Sequence, residues 1–454
     1  MKIVLVGAGS AQFGYGMLED IFQSKRLQGA EIALLDINRE AVIKVYDRAL
    51  TFIKTHDIDF TITAGTDRKE ALTGADFVII SIEVGDRFAL WDQDWTIPHQ
   101  YGIRQVYGEN GGPGGIFHAL RIIPPILDIC GDIMKICPDA FVFNYSNPMT
   151  AIVTTVLRKY PDLKLIGMCH EIASLKRYLP VIMETELDNI DFRAAGLNHF
   201  SVMLEASYKD SGKDAYEMIM QKVPDFFAKE PGYSDILAYA KKTGMTVQTE
   251  GATERFLTEV TESSRPWSDR TLFKEIIDHF GLLPITTDSH IGEYIPWAYD
   301  AADHRGILDF YTFYRYSLAL ESPELKEKKE SHERTIPIIE AILDDSGMEE
   351  AAVNILNDGF IPDLPKSIAV EIPAIITKNG VEGIKFPDYP KGFGALLRNY
   401  TGTYDLTAEA ILQKRKDLVI QALLVNPVVD HVRCIPELVD LMIDRQEKWL
   451  GYLK

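Results

Sequence analysis

The chain has 454 residues, 46% of them hydrophobic and 25% charged, with a formal net charge of −20. That length holds two domains and a large core, so neither disulfides nor a structural metal is needed to hold the fold. The acidic balance excludes nucleic acid and an anionic membrane surface as partners, because both would repel it.

From the N-terminus, short apolar runs alternate with amphipathic stretches, the rhythm of βαβ units around a parallel sheet. Strands are expected at Ile3–Val6, Glu31–Leu35, Phe77–Ser81, Phe141–Tyr145 and Leu163–Met168. They are rich in Val, Ile and Phe without polar alternation, as strands covered on both faces require. Helices are expected at Ala41–His56 and Ala119–Cys137. From Asn198 onward longer helical patterns take over, at Tyr233–Thr243, Thr253–Glu262, Ile307–Leu320 and Leu406–Leu424, interrupted by the strand-like Ser367–Ile376. Pro323 reads as the opening of a new helix, and the charge run Glu324–Arg334 as a solvated helix face. The expected architecture is α/β, with a Rossmann domain and parallel sheet over residues 1–195 and a mainly helical α+β domain over 196–454. No stretch has the length of a membrane span, and Met1-Lys2 leads directly into a strand rather than a signal peptide. The four cysteines (Cys130, Cys137, Cys169 and Cys434) are scattered without zinc-ribbon spacing, so the expectation is a cytoplasmic protein.

Five motifs carry chemistry. Val6-Gly7-Ala8-Gly9-Ser10 lies between the first strand and a helix, where glycines let backbone N–H groups approach a pyrophosphate. Asp36, ending the second strand, suits the ribose hydroxyls of NAD, while Arg39 keeps NADP as the lesser alternative. Gln12 stands where the third glycine of the dinucleotide fingerprint belongs. Cys169-His170 follows the fifth strand, where a parallel sheet delivers side chains into the ligand crevice. A thiolate metal ligand beside an acid is one reading, and a buried cysteine beside a satisfied core histidine is the other. His199, in Gly196-Leu197-Asn198-His199-Phe200, is the candidate partner that would complete a Cys/His pair with open positions for substrate oxygens. Asn147, in Asn144-Tyr145-Ser146-Asn147-Pro148, offers a donor and an acceptor to a sugar hydroxyl or the nicotinamide ribose. Glu109-Asn110-Gly111-Gly112-Pro113-Gly114-Gly115 reads as a loop that packs against a ligand or moves over one, or as a flexible connection. Thr286 to Tyr294 gathers Asp288, His290, Glu293 and Tyr294, with a general base as the functional reading and a surface loop as the other.

Together these pieces resemble glycoside hydrolase family 4. The likeness runs through Gly7–Ser10, Asp36, Ala75-Asp76-Phe77-Val78, Gly112–Gly115, Asn147-Pro148, Cys169-His170, Asn198-His199, Leu364-Pro365 and Val370-Glu371-Ile372-Pro373. The resemblance implies a lactate/malate-dehydrogenase-like fold, NAD as cofactor, and a divalent cation on Cys169 and His199, usually Mn²⁺, with Co²⁺, Fe²⁺ or Ni²⁺ as alternatives. It implies cleavage of a small-molecule glycoside by hydride removal at C3, proton loss at C2, departure of the glycosidic oxygen, addition of water and return of the hydride. His170 stands where relatives acting on phosphorylated sugars resemble each other in having Asp or Asn. This points to an unphosphorylated α-galactoside, α-galacturonide or other hexuronide, or α-glucoside. By the same resemblance His170 is the candidate acid or a substrate contact, and Asp288 or Tyr294 the candidate C2 base. Glu109, Asn147 and His290 are candidate substrate contacts, and Gly7, Gly9, Ser10, Asp36 and Asn147 the cofactor contacts. A homodimer or homotetramer is implied.

Two other classes stand beside this reading. A lactate/malate-type dehydrogenase would need arginines for its substrate carboxylate, with Arg87, Arg104 and Arg121 as candidates. A non-catalytic NAD-binding sensor would bind the cofactor without metal dependence or turnover.

Overall fold

The structure, a computed structural model, describes residues 1–10, 13–245, 256, 259–319, 325 and 334–454. Gln12, half of the expected helix Thr253–Glu262, Pro323 and most of the run Glu324–Arg334 lie outside the described residues.

The N-terminal half builds β1 (Lys2–Val6), β2 (Glu31–Leu35), β3 (Thr61–Gly65), β4 (Phe77–Ile80), β5 (Phe141–Asn144) and β6 (Lys164–Gly167). They are parallel, in the order β3-β2-β1-β4-β5-β6. Strand β1 is apolar from Ile3 to Val6 because it is covered on both sides there: Val4 and Val6 enter one core, Ile3 and Leu5 the other. Strand β3 has no such run. It is an edge strand that exposes Thr61 and Thr63 and buries Ile62, so its signal in the sequence is weak.

The sheet does not end at β6. Strands β7 (Ile190–Leu197), β8 (Phe200–Tyr208), β9 (Leu283–Pro284), β10 (Met348–Leu356), β11 (Ala369–Thr377) and β12 (Gly380–Gly383) extend it. The order continues β6-β10-β11-β7-β8-β9, with β12 on the side of β11. Among the described residues this is one 12-stranded sheet, parallel in its first half and antiparallel in the rest. The line between residues 195 and 196 therefore falls inside β7. One core cluster joins Val4 and Ile123 to Phe200, Ile372 and Leu397, so both halves bury apolar surface in common.

Two helix expectations are corrected. The pattern at Leu406–Leu424 is two helices, Lys391–Gln413 and Lys416–Val425, interrupted where Lys414 takes a left-handed φ of 55°. The helix read at Ala119–Cys137 begins earlier, at Gly112, and runs to Ile136. The expected glycine loop is thus a packed first helical turn. A Cβ on Gly114 would lie 2.4 Å from the Gly108 carbonyl oxygen, and one on Gly115 would lie 2.5 Å from the Asn110 carbonyl carbon. Among the described residues no helix is long and apolar enough to cross a membrane.

Candidate active site

The dinucleotide turn follows β1. Gly7 has φ +88°, and a Cβ there would stand 1.9 Å from the Ser81 carbonyl oxygen at the end of β4. Gly9 donates its N–H to Asp36 Oδ2 (2.8 Å), and Asp36 Oδ1 accepts from Asn38 N (2.8 Å). The acidic side chain expected for ribose is therefore fixed in place by the glycine turn itself and retains lone pairs for a further donor. Ser10 opens helix α1 (Phe13–Gln23), its carbonyl accepting from Gly14 N at 2.9 Å. Gly14 does the close-packing work of the missing third glycine: a Cβ there would meet the Ala8 carbonyl oxygen at 2.2 Å.

The ends of β5 and β6 bring the remaining candidates alongside. Asn147 lies three residues past β5, and its Oδ1 is buried without a partner. Cys169 and His170 follow β6. Facing them, β7 and β8 form a hairpin with Leu197 paired to Phe200, so Asn198 and His199 are its two turn residues. His199 sits at φ 61°, in the left-handed region that two-residue hairpins require.

The Asn198 side chain acts on the Cys169 thiol and His170 on the His199 imidazole, so the two dipeptides lie side by side. Burial, reinforced by His290 and His170, holds the His199 imidazole well below its usual pKa and therefore neutral, the form a metal requires. Its ring stacks on His290 with centroids 4.4 Å apart, and Nδ1 of each ring is buried without a partner. Burial pushes the Cys169 thiol well up, aided by Glu371 and Glu171. A soft sulfur beside a neutral imidazole with an unused nitrogen fits a divalent cation. Among the described residues no group of three or more His, Cys, Asp or Glu side chains is gathered for a metal.

Two candidates for the C2 base are corrected. Asp288 is fully buried and turned to the N-terminus of the helix Thr271–Phe280. Its oxygens accept from Leu272 N (3.0 Å), Phe273 N (2.9 Å), Asp303 N (2.8 Å) and Thr271 Oγ1 (3.1 Å). Burial raises it to about 6 against those four donors, so the carboxylate is committed to the start of that helix. Tyr294 stacks on Phe200 (4.9 Å) and donates to the Asn198 carbonyl (3.3 Å), which makes it a core tyrosine supporting the hairpin. The segment around it is buried rather than a surface loop.

Glu109 is buried and gripped by Arg87 at 2.6 Å. Glu293, which the sequence reading did not single out for this, accepts from the backbone N–H groups of Glu109 and Asn110 and so fixes the turn before the helix Gly112–Ile136. His118 was also missed. It lies 3.6 Å from Glu83, and although burial works to raise the Glu83 carboxyl, His118 and Arg87 bring it down to about 2. The three arginines a dehydrogenase would need are all engaged: Arg87 with Glu109, Arg121 with Asp94 (2.5 Å) and Arg104 with Asp300 (2.8 Å). None is left for a substrate carboxylate.

The sequence profile of the family 4 glycosyl hydrolases matches residues 2–184, and that of the family 4 C-terminal domain matches residues 194–429. An α-glucosidase from Erwinia rhapontici is 62% identical over 453 residues, covering 100% of this chain and 99% of that protein. An α-galactosidase from Bacillus subtilis (strain 168) is 28% identical over 441 residues, covering 94% of this chain and 93% of its own. In fold the chain is similar to a 6-phospho-α-glucosidase from gut microorganisms solved with NAD and Mn²⁺, at a TM-score of 0.78 and 19% identity over 100% of this chain and 99% of that one. With both profiles matched in chain order and nearly end to end, the chain belongs to family 4 of the glycosyl hydrolases.

Proposed function

We propose that this glycosidase cleaves unphosphorylated α-glucosides by a redox-elimination route that needs NAD⁺ and a divalent cation, Mn²⁺ first. The reading is supported by the Cys169-His170 dipeptide past β6 lying beside the Asn198-His199 turn, and by the buried, unpartnered polar atoms of His199, His290 and Asn147. The sugar assignment is supported by the 62% identical α-glucosidase, which matches the whole chain. His170, where phosphate-sugar relatives have Asp or Asn, supports an unphosphorylated substrate.

Gly7, Gly9 and Ser10 would hold the pyrophosphate of NAD⁺, and Asp36 its ribose. Cys169 and His199 would hold the cation. Bound, NAD⁺ supplies reversible hydride acceptance and the cation Lewis-acid stabilisation of the charge that builds as the C2 proton leaves. The chain's own groups do the rest. Asn147 presents its unpartnered Oδ1 to a sugar or ribose hydroxyl, and Glu109, held by Arg87, orients another. His290, stacked on His199, narrows the site from the opposite side. His170 is mostly exposed beside Glu171 and delivers the proton to the departing glycosidic oxygen. Proton abstraction at C2 falls to a group other than Asp288 or Tyr294. The enzyme works in the cytoplasm as a homodimer or homotetramer, a reading supported by four unpaired cysteines and by Leu424, Val425 and Val432 exposed on its surface.

The test is hydrolysis of a panel of nitrophenyl α- and β-glycosides and hexuronides, with and without NAD⁺, Mn²⁺ and a thiol reductant. Release from the α-glucoside that needs both additions, without NADH accumulation, is expected. Metal-independent release would overturn the mechanism, steady NADH formation would favour a dehydrogenase, and NAD⁺ binding without turnover a sensor.

A further inference from the structure

The turn that carries His199 is pinned on three sides. Asn198 N donates to Thr150 Oγ1 (3.2 Å), its carbonyl accepts from Tyr294 Oη (3.3 Å), and its Nδ2 donates to Glu371 Oε2 (2.6 Å). Glu371 lies on β11, in register with Gly196 of β7, and is 2% exposed. Its other partners are Ser201 Oγ (3.1 Å) and Asn354 Nδ2 (3.3 Å), both neutral, and among the described residues no Lys or Arg pairs with it. A buried carboxylate with only neutral donors is a costly arrangement for the fold alone. The Asn198 amide that Glu371 grips also acts on the Cys169 thiol, and Asn198 is joined by a peptide bond to His199.

We infer that Glu371 is the positioning residue of the Cys169–His199 pair. Through Asn198 it sets the amide that acts on the Cys169 thiol and fixes the turn that presents the imidazole. Carboxylates that hold metal-ligating groups from behind in this way change metal affinity by about 10- to 100-fold when removed. The inference rests on the proposed metal dependence, so wild-type binding is measured first. Mn²⁺ titrations followed by electron paramagnetic resonance give its dissociation constant, and NAD⁺ titrations report the integrity of the Rossmann half. A wild-type chain that binds no Mn²⁺ overturns the functional reading itself, and the Glu371 inference with it. Given wild-type binding, Glu371→Gln is expected to weaken Mn²⁺ by about 10- to 100-fold. Its NAD⁺ affinity should stay within about twofold, because Glu371 touches no part of the dinucleotide turn. In the Co²⁺-loaded protein the sulfur-to-metal charge-transfer band should shift or weaken, which a merely structural role would not cause. Unchanged Mn²⁺ affinity in a folded Glu371→Gln protein overturns the inference and leaves the glycosidase reading intact. Should that variant not fold, Asn198→Ala takes its place, with the same weakening expected and the same unchanged result refuting it.

Discussion

Replacing Gly14 by alanine tests whether the dinucleotide turn is built as the structure has it. The added Cβ would stand 2.2 Å from the Ala8 carbonyl oxygen, a backbone atom that no rotamer change can move aside. Real Cβ atoms essentially never approach within 3.0 Å, so α1 must draw back from the turn by roughly 0.8 Å. Forcing a methyl into such a contact costs about 1–3 kcal/mol. The strain is shared between the fold and the site, because the start of α1 presents the N–H groups that a pyrophosphate needs. If half of it falls on the cofactor, about 0.5–1.5 kcal/mol, NAD⁺ binds about 2- to 13-fold more weakly. Calorimetric titration of NAD⁺ at fixed Mn²⁺ reads that change directly. The Mn²⁺ constant serves as the internal control, since Cys169 and His199 lie on other elements. An NAD⁺ constant within about twofold of wild type, with an unshifted melting temperature, would refute the close packing and the role given to Gly14.

Three further outcomes are expected. Cys169→Ser and His199→Ala each lose Mn²⁺ by at least about 100-fold, and α-glucoside hydrolysis with it, while NAD⁺ binding persists in equilibrium dialysis. Asp288→Asn sets an amide NH2 against Phe273 N if it takes the place of Oδ1, or against Leu272 N and Asp303 N if it takes that of Oδ2, so it should lower stability by about 1–3 kcal/mol in urea while leaving kcat within a few-fold; a loss of about 1000-fold in kcat without loss of stability would restore Asp288 as the base. Asp269 is raised from 3.8 to about 7, chiefly by burial, with Asp303 and Asp288 adding to it. A raised carboxyl contributes stability that is full below 3.8 and is lost as pH climbs through 7. Asp269→Asn should therefore match wild type near pH 4 and exceed it by on the order of 2–4 kcal/mol at pH 8, as read by urea unfolding; a difference that does not change with pH would refute this.

Much of this molecule is legible in the sequence because doubly covered strands are apolar from end to end. The runs at β1, β2, β4, β5 and β6 each fall within a residue or two of their observed limits. What was not legible follows from chemistry that periodicity does not carry. Strand β3 hides because Thr61 and Thr63 face solvent. The break at Lys414 carries no glycine or proline to announce it. The glycines at Gly112 to Gly115 signal close approach, and only the structure tells that they approach the chain's own backbone. Cys169, His170 and Asn147 lie past the ends of parallel strands, where such a sheet opens a ligand crevice, whereas His199 lies in the turn of an antiparallel hairpin. Asp288 misled for a physical reason: a carboxylate beside histidines looks the same in sequence whether it faces a substrate or a helix N-terminus. Glu371 lay in a noticed motif without a role, because its partners Asn198, Ser201 and Asn354 come from distant parts of the chain.

The unbroken sheet has a consequence for how the enzyme can be taken apart. Where many two-lobed enzymes meet across a cleft, here β10 lies directly beside β6, the strand that ends next to Cys169, and β11 follows it. A fragment stopping near residue 195 would leave β6 with a bare row of N–H and C=O groups and an uncovered apolar face, an invitation to aggregate. Nor can the two halves swing apart to admit substrate without tearing strand pairing, so access must come from side chains and short connections. The dinucleotide turn and the Cys169–His199 pair are thereby mounted on one rigid plate. That suits a reaction in which a hydride taken from a sugar must be handed back to the same carbon before the sugar leaves.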